Sequence, residues 1–165
     1  MQHLQTVVET DIGRLYLVAS ELGLCQVDFE KQAVPMIDEA SQADADWGST
    51  RQFLEQAARE ITEYFMGERT EFEVPLVVQG TPFQLRVWDE LKRIPYGSTL
   101  SYSDIAARVE NPKAVRAVGS ANGRNPLCII VPCHRVIAAD GTLGGYAAGL
   151  KIKSQLLQLE QARRA

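Results

Sequence analysis

The hydrophobic pattern of this chain changes its period near Gly80, and this change restricts the fold more than any other feature. Apolar and polar residues alternate in short segments of residues 4–29, which is typical of strands. After Thr81 the apolar residues recur every three or four positions, as in helices that bury one face. A length of 165 residues accommodates one large or two small domains. The pattern predicts an α+β fold with domains at residues 1–79 and 80–165.

The first domain is predicted to combine a meander of three strands with one helix. Turn residues such as Gly13 and Gly23 separate the alternating segments, as expected between paired neighbouring strands. Residues 38–50 are acidic, small and polar, which indicates a surface loop or a poorly ordered helix. The predicted elements are strands at 4–8, 15–19 and 24–29, a helix at 52–66 and an extended segment at 72–78.

A helix-turn-helix is predicted in the second domain. Ser101 and Asp104 have the spacing of a capping box, which opens a helix. After a turn at residues 110–111, Asn111 and Pro112 are predicted to cap a second helix that Gly123 ends. Two short helices with so tight a turn are typical of DNA-binding hairpins, and a plain helical hairpin is the alternative.

The second helix of this motif has two distinctive stripes. One is basic and polar and would meet phosphates, and the other consists of alanines, which let a helix approach a partner closely. A solvated charged face is the alternative interpretation. The stripes are Lys113, Arg116 and Ser120, and Ala114, Ala117 and Ala121.

Charge is divided unequally between the two domains. Residues 1–79 carry 5 Lys+Arg and 15 Asp+Glu, whereas residues 80–165 carry 12 and 6. The net charge of −4 argues against a nucleic-acid partner for the whole chain, but the basic second domain favours one. Two solvated surfaces of unlike composition remain the alternative.

Cys133 is the candidate nucleophile. Residues 129–131 are predicted to form a buried strand that Pro132 ends, so that Cys133 lies where regular structure stops. Its reactive form is the thiolate, which a nearby base promotes. His134 is adjacent, but neighbouring side chains face apart, so contact needs an irregular turn or a bridging water. The other cysteines, Cys25 and Cys128, are predicted to be small buried hydrophobes.

Glu160 is the candidate partner of His134. It shares one face of the last helix with Lys153 and Leu157, which indicates partial burial. A half-buried carboxylate needs a partner, and it would orient the imidazole of His134 and stabilise its charged form. A solvated glutamate near a helix end is the alternative.

Cofactors and membranes are not expected. Three cysteines without a CxxC pair argue against disulfides and zinc, and the first domain offers only His3 and Cys25 as soft ligands. No apolar run reaches the roughly 18 residues of a membrane span. The N-terminus has no signal-peptide pattern, so a cytoplasmic protein is predicted.

The segment Pro132-Cys133-His134-Arg135-Val136 resembles the signature of the O6-alkylguanine-DNA alkyltransferases. The resemblance covers residues 81–160 and is strongest to the bacterial constitutive, stand-alone type. It extends through 116–119, Asn125-Pro126 and Gly145-Tyr146. The family implies a small RNase H-like first domain with antiparallel strands and a winged helix-turn-helix second domain.

The resemblance also implies a role for each matching residue. Cys133 would accept the alkyl group, with His134 as base through a water and Glu160 orienting His134. Arg116 would be an arginine finger that fills the stack behind a flipped base. Tyr102 would help to rotate that base, and Asn125 would brace the active-site turn. Further implied residues contact DNA (Lys113, Ala114, Ala117, Ser120, Ala121, Arg124) or line the pocket (Val136, Tyr146, Ala147, Ala148, Lys153).

The implied function is single-use DNA repair without a cofactor. A monomer would bind double-stranded DNA through the minor groove and take the alkyl group from O6-alkylguanine, and from O4-alkylthymine, onto Cys133. The resemblance does not determine whether the protein binds DNA cooperatively. The alternatives are a non-catalytic binder of alkylated DNA and a Cys-His thiol hydrolase. The number of alkyl groups processed per protein, zero, one or many, separates the three.

Overall fold

The structure, a computed structural model, describes residues 2–37 and 47–164. The chain divides into two compact units, Met1–Val78 and Gln79–Ala165. The predicted loop or poorly ordered helix at residues 38–50 lies mostly outside the described residues, and its last three positions begin the first helix. In the part of the chain that is described, no helix is long and apolar enough to span a membrane.

The first unit is an antiparallel sheet covered by one helix. The sheet has the order β1-β2-β3, and α1 packs against it through apolar residues such as Leu54 and Ile61, both fully buried. The extended segment after α1 runs beside β3 through a parallel bridge between Leu24 and Leu76. The bounds are β1 Leu4–Thr10, β2 Gly13–Ser20, β3 Gly23–Asp28 and α1 Gly48–Phe65.

The second unit is mainly helical. Thr81 and Ser101 each accept a hydrogen bond from the third helical residue in a reciprocal capping box, which fixes where α2 and α3 begin. The two short strands β4 and β5 pair in parallel. The bounds are α2 Pro82–Lys92, β4 Leu100–Ser101, α3 Tyr102–Arg108, α4 Val115–Gly123, β5 Val136–Ile137 and α5 Leu150–Arg164. The predicted α+β class, with an antiparallel first unit and a helical second unit, is confirmed.

The predicted start of α4 is wrong. Asn111 does not cap it, because the end of α3 already uses this residue. Glu110 adopts φ +61°, and the N–H groups of Glu110 and Asn111 bond back to the carbonyls of Ala107 and Ala106, which is a Schellman ending. The helix therefore begins three residues after Pro112, and Lys113 lies in the turn before it.

Candidate active site

The backbone that leads to Cys133 is a buried, irregular turn, so the predicted strand at residues 129–131 is wrong. The N–H groups of Ile130 and Val131 bond to the carbonyls of Cys128 and Leu127, at 2.9 and 2.8 Å. Ile129 has φ +74°, a conformation that a β-branched residue rarely adopts. A buried apolar run has the same composition in a strand and in a packed turn, so the pattern could not distinguish them.

Two asparagine side chains hold this turn. The amide of Asn125 donates to the carbonyl of Val131 at 2.7 Å and accepts from the N–H of Leu127 at 3.0 Å. Asn122, at the end of α4, donates to the carbonyl of Cys133 at 3.3 Å. The sequence interpretation included Asn125 but missed Asn122, whose position gave only a helix ending. Through Asn122 the backbone of Cys133 is tied to α4.

Cys133 is buried and begins a single 3-10 turn, Cys133–Arg135. Burial raises the pKa of its thiol, and hydrogen bonds from Asn125 and Tyr146 and the charge of Lys153 oppose that rise. The thiol is therefore protonated at rest and needs a base to become a nucleophile. Cys25 and Cys128 are only half-buried, and Cys128 accepts a 3.5 Å hydrogen bond from the Tyr146 hydroxyl.

The structure brings His134 and Glu160 together. Their side chains are 0% and 1% exposed, and His134 Nε2 lies 2.7 Å from a carboxylate oxygen of Glu160. A neutral ring that donates from Nε2 keeps a lone pair on Nδ1, and Nδ1 has no hydrogen-bond partner among the described residues. The pair therefore presents a buried basic nitrogen one residue from the thiol.

Arg135 shares the Glu160 carboxylate, a contact that the sequence interpretation missed. Its Nε and one terminal nitrogen lie 2.8 and 3.0 Å from the two carboxylate oxygens. Burial opposes the charge of Glu160, but the bonds to His134 and Arg135 outweigh it and hold the pKa of this carboxyl below its usual range. In the sequence, the one sign of this contact was that Arg135 directly follows His134.

Burial favours the neutral form of the imidazole, whereas Glu160, as the sequence predicted, favours its charged form. Burial lowers the pKa of His134, and the positive charges of Arg135 and Lys153 add to this effect. The hydrogen bond and the negative charge of Glu160 oppose this effect, but the pKa of His134 remains below its ordinary value.

Lys153 and Tyr102 fasten the loop at residues 143–146. The Lys153 ammonium is fully buried and donates to the carbonyls of Val136 at 2.6 Å, Gly145 at 3.0 Å and Leu143. Burial lowers its pKa to about 8, which the nearby Cys133 opposes. The Tyr102 hydroxyl lies 3.5 Å from the Gly145 carbonyl. Lys153 thus fixes the loop at residues 143–146 through backbone contacts.

The remaining predicted pocket residues differ in burial. Val136 is fully buried in β5, and Tyr146 is half-buried. Ala147 is exposed and Ala148 is half-buried. Among the described residues, no group of three or more His, Cys, Asp and Glu side chains is arranged to hold a metal ion.

Gly144→Ala is expected to disturb the loop at residues 143–146. Gly144 has φ +72°, and an added Cβ would lie 2.9 Å from the ring and the hydroxyl of Tyr102. Gly141→Ala is the matched control, because Gly141 has φ +89° with nothing within 4 Å of its Cβ position. Both variants should lose about 1–3 kcal/mol of stability from backbone strain. Only Gly144→Ala should also slow the reaction of Cys133, and equal reaction rates in the two variants would contradict this.

The predicted DNA-contact residues all lie on or beside α4, but they differ in exposure. Arg116 is in the first turn of this helix, is exposed, and has no ion pair within the described part of the chain. Ala121 is buried because α2 packs there, and the indole of Trp88 donates to its carbonyl at 2.8 Å. Ala114, before the helix, is half-buried. The exposed members of the set are Lys113, Arg116, Ala117, Ser120 and Arg124.

The fold and the site define a class of protein in which a helix-turn-helix adjoins a buried cysteine. A buried histidine, hydrogen-bonded to a buried glutamate, follows this cysteine in the chain. Comparison with known proteins agrees. Residues 82–162 match the family domain "6-O-methylguanine DNA methyltransferase, DNA binding domain", and residues 4–78 match its "ribonuclease-like domain".

Relatives and solved structures extend this match over nearly the whole chain. A methylated-DNA–protein-cysteine methyltransferase of Methanosarcina acetivorans is 47% identical, over 93% of this chain and 96% of that protein. The constitutive one of Bacillus subtilis is 45% identical, over 94% of each. The crystal structure of Mycobacterium tuberculosis OGT in complex with DNA is 40% identical, with a TM-score of 0.84 over 97% of this chain and 94% of that one.

The chain therefore belongs to the 6-O-methylguanine DNA methyltransferase family. This confirms the resemblance that the cysteine motif indicated.

Proposed function

We propose that this protein is a methylated-DNA–protein-cysteine methyltransferase that repairs double-stranded DNA by moving an alkyl group from O6 of guanine to Cys133. The observation that carries the proposal is the buried Cys133, followed in the chain by a buried His134 whose Nε2 lies 2.7 Å from Glu160. A buried thiol with a raised pKa gains reactivity from such a base. The relatives named above support the same activity.

The proposed reaction is a displacement at the alkyl carbon. Nδ1 of His134 takes the thiol proton through a water, and the thiolate of Cys133 attacks the carbon bonded to O6. The S–C bond forms as the C–O6 bond breaks, and the proton finally resides on the released guanine. The product thioether is a poor leaving group, so one protein molecule removes one alkyl group and then stops.

The proposed route to the thiol is base flipping. Cys133 is only 5% exposed, and an alkylated base stacked in a duplex cannot reach it without leaving the helix. Arg116, exposed at the start of α4, would enter the stack in its place. Tyr102, against the loop at residues 143–146, would help to rotate the base. Asn125 would keep the thiol turn rigid during the exchange.

The proposed DNA surface is α4 and the turn before it. Lys113 and Arg124 are exposed and would contact phosphates, while the small, exposed Ala117 and Ser120 let the helix approach a minor groove. The catalytic side chains come from one unit of one chain, which favours action as a monomer. The expected compartment is the cytoplasm, and the expected second substrate is O4-alkylthymine, which carries the same alkyl–oxygen bond.

A stoichiometry measurement tests the proposal. The protein is mixed with an excess of duplex DNA that contains O6-methylguanine with a labelled methyl group. We expect transfer to stop at one methyl group per protein molecule, with the label stable on the protein. Tight binding without transfer would indicate a lesion binder, and repeated turnover with release of the label would indicate a thiol hydrolase. A parallel assay with O4-methylthymine tests the second substrate.

A further inference from the structure

The carboxylate of Glu160 is the centre of a buried charge cluster that is larger than the proposed reaction requires. His134 binds one oxygen of this carboxylate, Arg135 binds both, and the Gly97 N–H donates to it at 3.3 Å. The second terminal nitrogen of Arg135 donates to the carbonyl of Ile94 at 2.7 Å. The side chains of all three residues are at most 6% exposed. The guanidinium is therefore fixed in place by partners on two sides.

The charges around His134 come from three elements. Glu160 and Lys153 face it from α5, and Cys133 and Arg135 belong to its own turn. Tyr96, from the turn after α2, lies against Arg135, with its ring centre 5.7 Å from the guanidinium carbon. Without Arg135, the buried Glu160 carboxylate beside the imidazole would lack the guanidinium that matches its charge. Such a carboxylate strongly favours a protonated ring.

We propose that Arg135 is a positioning residue that keeps His134 neutral by occupying the Glu160 carboxylate, so that Nδ1 stays free to accept the thiol proton. In this arrangement Glu160 orients the ring but cannot draw a proton onto it, because its charge is matched by the guanidinium. The consequence for alkyl transfer rests on the proposed function. The protonation state of His134 is independent of the proposed function, and it can be measured without any substrate.

Arg135→Met and Arg135→Lys test the proposal through the pH dependence of methyl transfer. Methionine keeps much of the length but loses the charge, so the His134 pKa should rise and the protonated, inactive ring should persist to higher pH. The acidic limb of the rate profile should then move up by about one pH unit, which is tenfold in rate at mildly acidic pH, with recovery at higher pH. Arg135→Lys should lower the rate without moving the limb.

A direct titration of the imidazole separates this inference from the proposed function. The chain has only two histidines, so the ring ¹⁵N resonances of His134 are assigned by comparison with His3→Gln. In the wild-type protein we expect a neutral ring, protonated at Nε2, at neutral pH. A charged His134 at neutral pH in the wild type would overturn the proposal, whether or not methyl transfer occurs. This measurement remains decisive even if Arg135→Met does not fold.

A second substitution distinguishes a charge effect from lost packing. In Arg135→Met/Glu160→Gln the carboxylate is also removed, so the ring should return to its neutral form at mildly acidic pH, although the cluster is further disrupted. The matched control is Arg93→Met, which removes an exposed guanidinium that pairs with Asp89 and Glu90. It should leave the His134 titration unchanged. If the double variant titrates like Arg135→Met, Arg135 is only structural and the proposal fails.

Discussion

Cys133→Ser is expected to abolish methyl transfer while binding to unmodified duplex DNA stays at the wild-type level. A serine hydroxyl is a far weaker acid than a thiol, and its oxygen is a much poorer nucleophile than a thiolate toward a saturated alkyl carbon. DNA binding should persist because the exposed basic residues lie on and beside α4. The measurement is transfer of labelled methyl from O6-methylguanine DNA, with affinity determined in parallel by fluorescence anisotropy.

Mass spectrometry of the wild-type protein completes this test. All label should reside on the peptide that contains Cys133. Cys25→Ser is the control, because this half-buried thiol donates to the carbonyl of Gly23 within its own strand. Its transfer rate and stoichiometry should match those of the wild type. Label on Cys25 or on Cys128 would show that the acceptor has been assigned wrongly.

Arg116→Ala is expected to slow repair of duplex DNA by about tenfold or more and to leave the reaction with free O6-methylguanine base unchanged. Extrusion of a base costs a few kcal/mol, and an inserted guanidinium would recover part of it. Each 1.4 kcal/mol corresponds to about tenfold in rate. A free base needs no extrusion, so its reaction depends only on the buried site. The two rates are measured in single-turnover experiments.

Lys113→Ala is the comparison for this variant. Lys113 is exposed in the turn before α4, where a phosphate contact is expected. Its loss should weaken binding to all duplex DNA and reduce the salt dependence, with little effect on transfer once the DNA is saturating. If Arg116→Ala behaves in the same way, Arg116 is a phosphate contact as well. Equal losses on duplex and free base would instead place Arg116 in the fold or the chemistry.

Features encoded by neighbouring residues were determined by the sequence alone. Alternation and turn residues predicted the three strands of the first unit, and the Ser101–Asp104 pair predicted the start of α3. The cysteine motif and its spacings predicted the family. Each of these signals depends on residues a few positions apart, because caps, turns and amphipathic periods are local properties of the chain.

Where one segment carries signals for two local structures, the fold determines which of them forms. Asn111 has the composition of a helix cap, but the Schellman ending of α3 already uses it, so α4 begins later. Residues 129–131 have the composition of a strand, but Asn125 and the carbonyl of Leu127 bind them in a turn. In both places the sequence permits two structures, and hydrogen bonds to groups three to six positions away select one.

The electrostatic character of the site was decided only by tertiary packing. The sequence placed Glu160 on the face of α5 that it shares with Lys153, and it suggested His134 as a partner. It did not indicate that Arg135 binds both carboxylate oxygens, nor that the Lys153 ammonium donates hydrogen bonds to three backbone carbonyls. These partners lie 8 to 25 positions apart, and burial sets the strength of each interaction. A residue pattern specifies which charges exist, whereas the protonation state of His134 depends on which of them the folded chain brings into contact away from water.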